Sequence, residues 1–195
     1  MTRTASPRVL PNIVNRWSPR AFDGSAVPQE DLDVIFEAAG LAASAYNYQP
    51  WRFAYAHRGD ANFDAFLSAL VPFNQTWAKD AGVLVFAVSD EFMRSDRGDN
   101  PNHSHSFDTG AAWANAALQA LALGFHTHGM TGVDFEKAAE VLNLPEGYRV
   151  EMAFVIGRQG DKSQLPDMLR EREIVSDRKP VSEIGDPLDR LTACT

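Results

Sequence analysis

One cysteine in 195 residues is the first constraint. A lone thiol cannot close an internal disulfide, and its place at Cys194, next to the C-terminus, makes it a poor nucleophile candidate; a reducing cytoplasm is the expected compartment. Long apolar runs are also missing. No stretch approaches the roughly 20 residues of a membrane-spanning helix, and Pro7, Arg8 and Pro11 interrupt any signal-peptide core near the start. Excess positive charge is lacking too: the net charge of −8 argues against non-specific nucleic-acid binding, which needs a cationic surface. Gly-x-Gly-x-x-Gly, Gly-x-x-x-x-Gly-Lys-Ser/Thr and Gly-x-Ser-x-Gly do not occur, so Rossmann, P-loop and nucleophile-elbow chemistry lose their main support. His103-Ser104-His105 and His126-Thr127-His128 each put two imidazoles on one face of a strand. Neither has a third ligand at zinc-site spacing, so no metal is expected.

What is present is one domain's worth of alternating helix and strand. Pro28 opens a helix whose first turn holds Glu30 and Asp31 and whose apolar side is Leu32, Ile35, Phe36 and Ala39. Ala38 to Ala43 give that helix a small-residue face. Trp51 to His57 reads as a strand with Trp51, Phe53 and Tyr55 on one side. Phe63 to Leu70 suits a short helix, and Val83 to Val88 suits a strand buried on both faces. Ser89 to Ser106 is polar and turn-rich, with the character of a mobile loop. Asp108 is the expected cap of an almost wholly apolar helix from Ala111 to Leu123, closed by Gly124. Phe125 to His128, a helix from Asp134 to Leu142, and a strand carrying Val150, Met152, Phe154 and Ile156 complete the body. The segment 158–195 is a charged, proline-punctuated extension expected to wrap the surface or a partner subunit. The fold class is α+β: a mixed sheet surrounded by helices, with a buried central helix.

Two local clusters carry the chemistry. Arg16-Trp17-Ser18-Pro19-Arg20 sets two guanidinium forks and a hydroxyl ahead of the first long helix, a suitable arrangement for an anion; a solvated loop with local ion pairs is the plain alternative. Ser44-Ala45-Tyr46-Asn47-Tyr48-Gln49-Pro50-Trp51 follows at the end of that helix.

In that order, these two segments resemble the FMN-dependent nitroreductase family, which opens with Arg-x-Ser-x-Arg/Lys and continues into Ser-x-x-Asn-x-Gln-Pro-Trp. The likeness extends through Asn74, Asp108 to Ala112, Gly129 to Gly132, Leu144-Pro145, Gly157 and Arg178-Lys179-Pro180. The resemblance implies a single nitroreductase-like domain over residues 1–195, a homodimer with FMN at its interface, and electron transfer from NADH or NADPH (NAD or NADP leaving) to a nitroaromatic, quinone or similar conjugated acceptor. It assigns Arg16, Ser18 and Arg178 to the phosphate and ribityl end, counts Trp17 between them as cofactor-binding, and gives Arg20 to the flavin N1 and O2 edge, Asn74 to the pyrimidine edge, and the Thr131 and Gly132 backbone to N5 and O4. Ser44, Ala45 and Asn47 would reach the flavin from the second subunit. Asn74 could equally be a capping residue, and Gly132 a plain turn glycine. No residue is expected to act as a covalent catalyst. A flavin-sequestering protein with little turnover is the runner-up, and a specialised dehydrogenase or flavin-cannibalising enzyme the third reading.

The chain also departs from the family pattern. Ala43 stands where many members have proline, Tyr48 where a small residue is commoner, and Ser176 where some carry lysine. The last change removes a cation from the phosphate end and implies weaker or salt-sensitive FMN binding. Ser89 to Ser106 is the least family-like stretch and the expected determinant of substrate choice.

Overall fold

The computed structural model describes residue 3 and residues 5–185; Cys194 and the last part of the 158–195 extension lie outside the described residues. In chain order the elements are α1 (Pro11–Asn15), α2 (Gln29–Gly40), β1 (Trp51–His57), α3 (Phe63–Ser68), α4 (Pro72–Ala78), β2 (Val83–Asp90), β3 (Phe92–Met93), β4 (Asn100–Pro101), α5 (His105–Ala122), β5 (His126–Met130), α6 (Phe135–Val141), β6 (Tyr148–Gly157), α7 (Asp167–Arg170) and α8 (Val181–Ile184). Four strands form one sheet in the order β1-β2-β6-β5, and every pairing is antiparallel. β3 and β4 make a separate small hairpin.

The sheet is buried on both faces at its centre, as the unbroken apolar run of β2 requires. Val83, Val85, Ala87, Phe154 and Ile156 pack under α2 and α5, whose contacts include Leu32, Ile35, Ala39, Ala112, Ala116 and Ala120. Leu84, Phe86, Val88, Ala153 and Val155 pack on the other side with Phe66, Trp77 and Ala138 of α3, α4 and α6. Phe36 of α2 stacks on Phe53 of β1 at 5.4 Å, so the alternate positions of that strand meet the helix above them.

Simple alternation fails at one place. Val150, Met152, Phe154 and Ile156 share a period of two, yet Val150 belongs to the α3/α4/α6 side and the other three to the α2/α5 side. The pairing slips between Ala87↔Met152 and Val88↔Val150, which leaves Glu151 as the extra residue of a bulge. Glu151 Oε1 accepts from Ser89 Oγ at 2.6 Å and Oε2 from Ser106 Oγ at 2.7 Å, with Arg149 bridging both oxygens. Burial opposes its ionisation, but these hydroxyl and guanidinium donors outweigh it and hold the carboxyl below its usual range.

The stretch expected to be a mobile loop is more ordered than its composition suggests. Ser89 and Asp90 are buried strand residues, and the β3–β4 hairpin fills much of the rest. Arg94 grips both oxygens of Asp90 at 3.0 and 3.1 Å, and the Tyr48 hydroxyl accepts from the Arg94 amide at 2.9 Å. Asp108 also differs from expectation. α5 begins three residues before it, so Asp108 lies inside the first turn, buried, rather than at the cap.

α5 buries Asp108, Thr109, Ala112, Ala116, Ala117 and Ala120 against the sheet and α2. Its opposite side is left open among the described residues: Phe107 is 81% exposed, and Gly110, Ala114 and Ala122 are exposed as well.

After β6 the chain turns back along residues 16–23. Gly160 donates to the Ala21 carbonyl at 2.9 Å and Asp23 to the Arg158 carbonyl at 3.1 Å. A Cβ on Gly160 would lie 2.8 Å from the Phe22 carbonyl carbon, so this approach requires glycine. The clip is completed by Glu173, whose Oε1 accepts from the Arg20 and Ala21 amides at 2.7 and 2.9 Å while the residue is only 6% exposed. Glu173→Ala leaves those donors without a partner, at a cost of about 1–3 kcal/mol. The expected result is a melting temperature lower by roughly 2–10 °C in a thermal scan, with a smaller loss for Glu173→Gln, which keeps an acceptor.

Candidate functional site

The arginine segment is an extended strap between α1 and the bridge from Phe22 to Gln159. Glu173 holds it from the tail side. From the sheet side, His128 Nδ1–H donates to the Pro19 carbonyl at 2.8 Å, a partner that sets the tautomer. The strap is therefore fixed at its backbone, which leaves its long side chains free to project.

Arg16 is half-buried, and its Nη1 donates to Ser18 Oγ at 3.2 Å. Burial, and then the charges of Arg3 and Arg178, push its pKa below the usual guanidinium value. Arg178 is exposed and folds back on its own turn, with Nη1 donating to Ser176 Oγ and to the Asp177 carbonyl, each at 2.8 Å. Arg3 donates through Nε to the Ser176 carbonyl at 3.0 Å. Among the described residues, none of these three guanidiniums forms an ion pair with a carboxylate. Three like charges so placed make this end of the strap a positively charged cluster, the electrostatic setting that suits an anion.

Arg20 continues the line. Its guanidinium carbon lies 5.9 Å from the centre of the Trp77 ring, and its Nε is buried with no hydrogen-bond partner. It forms no pair with Asp23, whose carboxylate accepts instead from the Ser25 amide and hydroxyl. Trp77 belongs to α4, and so does Asn74. Asn74 is buried and donates through Nδ2 to the Gly132 carbonyl at 3.1 Å. It occupies the body of the helix rather than a cap. Gly132 is more than a turn residue: an added Cβ would collide with the Asn74 amide and lie 2.9 Å from Val71 Cγ2. Thr131, exposed beside it, accepts from the Val133 amide. Arg16, Ser18, Arg20, Asn74, Thr131, Gly132 and Arg178 are thus linked through the strap, α4, the end of β5 and the tail. Unpaired cations stand at one end of this group, with amide and carbonyl groups at the other.

Trp17 faces elsewhere. Its ring meets His126 edge-on at 6.4 Å and lines a cleft of about 450 Å³ with Gly160, Lys162, Glu173 and Ile174. Ser44, Ala45 and Asn47 also stand apart from the guanidiniums. They form a tight 3-10 turn at the first turn of α5, where the Ala45 amide donates to Asp108 Oδ2 at 3.0 Å and the Gln49 amide to Ser44 Oγ at 3.0 Å. Tyr46, Asn47 and Gln49 all have φ between 53° and 56°, left-handed values that are uncommon for residues other than glycine. Asp108 is what ties this loop down, and Tyr46, at 93% exposure, projects from it.

Sequence reasoning missed Arg3, Glu173 and the strap-holding role of His128. His126 and His128 do share one face of β5, but they serve the strap rather than a third ligand; among the described residues no three histidine, cysteine, aspartate or glutamate side chains gather as a metal site. No spacing rule links residues 3 and 16, or 128 and 19. Only Glu173, five residues before Arg178, had a neighbour that could have drawn attention to it.

The sequence model of the nitroreductase family matches residues 13–73 and 57–158, and the chain belongs to that family. A solved oxidoreductase containing FMN is 46% identical, with a TM-score of 0.93 over 97% of this chain and 96% of that one. A putative nitroreductase from Desulfovibrio desulfuricans, solved in complex with FMN, is 25% identical with a TM-score of 0.71, covering 95% of this chain and 99% of that one. The major NAD(P)H-flavin oxidoreductase of Aliivibrio fischeri is 34% identical over 93 residues; the match takes in 45% of this chain and spans 42% of that protein's length.

His128 gives the site a measurable pH signature. Burial, together with the nearby charges of Arg20 and Arg16, outweighs the carbonyl bond and lowers its pKa to about 4, against about 6.5 in an unfolded chain. The unfolded state therefore takes up a proton that the folded state refuses between those values. Stability from this group is complete above pH 6.5 and is lost progressively as the pH falls towards 4. Melting temperatures of the wild type should decline across that window. His128→Asn, which keeps a donor and does not titrate, should show a flatter profile.

Proposed function

We propose that this chain is an FMN-dependent oxidoreductase that takes electrons from NADH or NADPH and passes them to a nitroaromatic, a quinone or a similar conjugated acceptor. The observation that carries this reading is the set of guanidiniums without carboxylates, continuous with the buried, unpartnered Nε of Arg20 and with Asn74 and Gly132. FMN has the matching sequence of groups: a phosphate, a polyol, and a flat ring with polar edges. When bound, it supplies hydride chemistry at N5.

The chain's own contribution is binding and charge placement. Arg16, Ser18 and Arg178 hold the phosphate through charge-assisted donors. Arg20 sets a fixed positive charge at the N1 and O2 edge, where reduction leaves negative charge. Asn74 and the backbone at Thr131 and Gly132 meet the polar edges of the ring. His128 and Glu173 keep the strap in register, so these groups are in place before the ligand arrives. Ser44, Ala45 and Asn47 stand away from this group within one chain, and the outer side of α5 is apolar and uncovered. Both features fit a homodimer in which that loop reaches the partner's flavin. The Tyr48–Arg94–Asp90 network pins the β3–β4 hairpin, which weighs against a free lid of the kind a flavin-sequestering role would need.

The first test is spectroscopic: purified protein should show flavin absorbance that NADH or NADPH bleaches under anaerobic conditions. Each charge-assisted bond to phosphate is worth about 1.5–3 kcal/mol, roughly ten- to a hundredfold in affinity. Arg16→Ala and Arg178→Ala should each weaken FMN more than riboflavin, which lacks the phosphate. Arg20→Ala should lower the midpoint potential, with ~30 mV corresponding to about 1.4 kcal/mol for a two-electron couple; an unchanged potential with FMN still bound would remove Arg20 from that role.

The dimer can be tested separately. Arg16→Ala and Asn47→Ala subunits, refolded together, should yield mixed dimers with one intact site each and recover activity that neither variant has alone. Additive activity with no recovery, or a stable flavin-loaded monomer in sedimentation, would contradict the shared site.

A further inference from the structure

We propose that Arg3 is a third phosphate-binding cation, supplying the charge that is lost where Ser176 stands in place of lysine. The inference rests on the FMN reading above and adds to it a residue from the N-terminal segment, thirteen positions before Arg16.

The geometry places Arg3 at the deficient position. Its Nε donates to the carbonyl of Ser176 at 3.0 Å, so the guanidinium sits on the residue whose side chain is too short to carry a charge there. Arg178 uses the same residue, donating to Ser176 Oγ at 2.8 Å and to the same carbonyl at 3.3 Å. A second nitrogen of Arg3, Nη1, donates to the Val14 carbonyl at 3.2 Å and to the Arg16 carbonyl, tying the group to the head of the strap. Ser176 thus accepts from two guanidiniums, and both charges are felt by the guanidinium of Arg16.

The partners of Arg3 matter as much as its position. Its three hydrogen bonds all go to backbone carbonyls, none to a carboxylate. Carbonyl partners orient a guanidinium without neutralising it. Among the described residues its Nη2 has no hydrogen-bond partner, which leaves one fork nitrogen for a ligand. Among the described residues, Asp177 is near enough to be felt but makes no ion pair with it. Burial first, and then the charge of Arg178, lowers the pKa of Arg3; burial, and then the charges of Arg3 and Arg178, lowers that of Arg16. A strap that served only to tie the N-terminal segment to the tail would not need a charge, and would be better without one. A phosphate monoester, carrying close to two negative charges, turns the same arrangement into attraction.

The test is a fluorescence titration of FMN and of riboflavin against wild type, Arg3→Gln, and the Arg3→Gln/Ser176→Lys double variant, each at several salt concentrations. Glutamine keeps a donor for the Ser176 carbonyl and removes the charge, and an unchanged melting temperature shows that the fold is intact. Arg3→Gln should weaken FMN roughly tenfold, leave riboflavin within about twofold, and make FMN affinity less sensitive to salt. The double variant should regain most of the FMN affinity, because lysine restores a cation where others in the family have one. Equal losses for the two flavins, or no loss for either, would assign Arg3 a structural role and overturn the inference while leaving the FMN reading intact. Wild-type protein that binds neither flavin would overturn the parent reading and this one with it.

Discussion

Repulsion between guanidinium groups is the constraint around which this end of the molecule is organised. Arg3, Arg16 and Arg178 come from the N-terminal segment, the strap and the tail; after burial, the charge of Arg178 lowers the pKa of Arg3, and the charges of Arg3 and Arg178 lower that of Arg16. Nothing in their own chemistry would bring them together. They are held by backbone: Arg3 on the carbonyls of Val14, Arg16 and Ser176, Arg178 on its own turn, and the strap on Glu173 and His128. A buried carboxylate bonded to two amides, and a buried neutral imidazole bonded to a carbonyl, are expensive to leave unpaired, so these clips are firm. The stability of the clips offsets the repulsion.

The same economy of buried polar groups shapes the opposite end of α5. Asp108 gives its carboxylate to the Ala45 amide rather than to its own helix, and three left-handed residues, Tyr46, Asn47 and Gln49, are kept in that loop. Glu151, displaced by the bulge in β6, gathers Ser89, Ser106 and Arg149 at the start of the same helix. Asp90 anchors the hairpin through Arg94. Each of these acids lies where a strand end, a helix start and a loop converge, and each gives irregular backbone a fixed geometry. In the proposed dimer that geometry is what would carry Ser44 and Asn47 to the partner's site.

The outer face of α5 is complementary to that proposal. A helix that is apolar on nearly every side has one side satisfied by the sheet and α2 and another left open, marked by Phe107 and the alanines beyond it. Two features of one chain therefore support the proposed dimer: an open apolar face on α5, and the Ser44–Asn47 loop tied down at the start of that helix.

Much of this was legible in the sequence. The bounds of β1, the capping of α6 by Asp134, the αL glycine after α5 and the two-sided burial of β2 follow from local pattern, because period, caps and turn chemistry act over a few residues. The strap and the Ser44–Trp51 segment were recognisable as compact motifs for the same reason. Tertiary structure decided the rest. The bulge that moves Val150 to the other side of the sheet arises from pairing with β2, and no period within β6 encodes it. The order imposed on residues 89–102 comes from Tyr48 and Tyr148, which flank Arg94 from distant parts of the chain. The roles of Arg3, His128 and Glu173 depend on contacts across 13 to 173 residues of separation. Local sequence determined which groups could bind an anion and which segments would be helix or strand. Only the folded chain decided which cations stand together, since that depends on where distant backbone carbonyls and amides happen to meet.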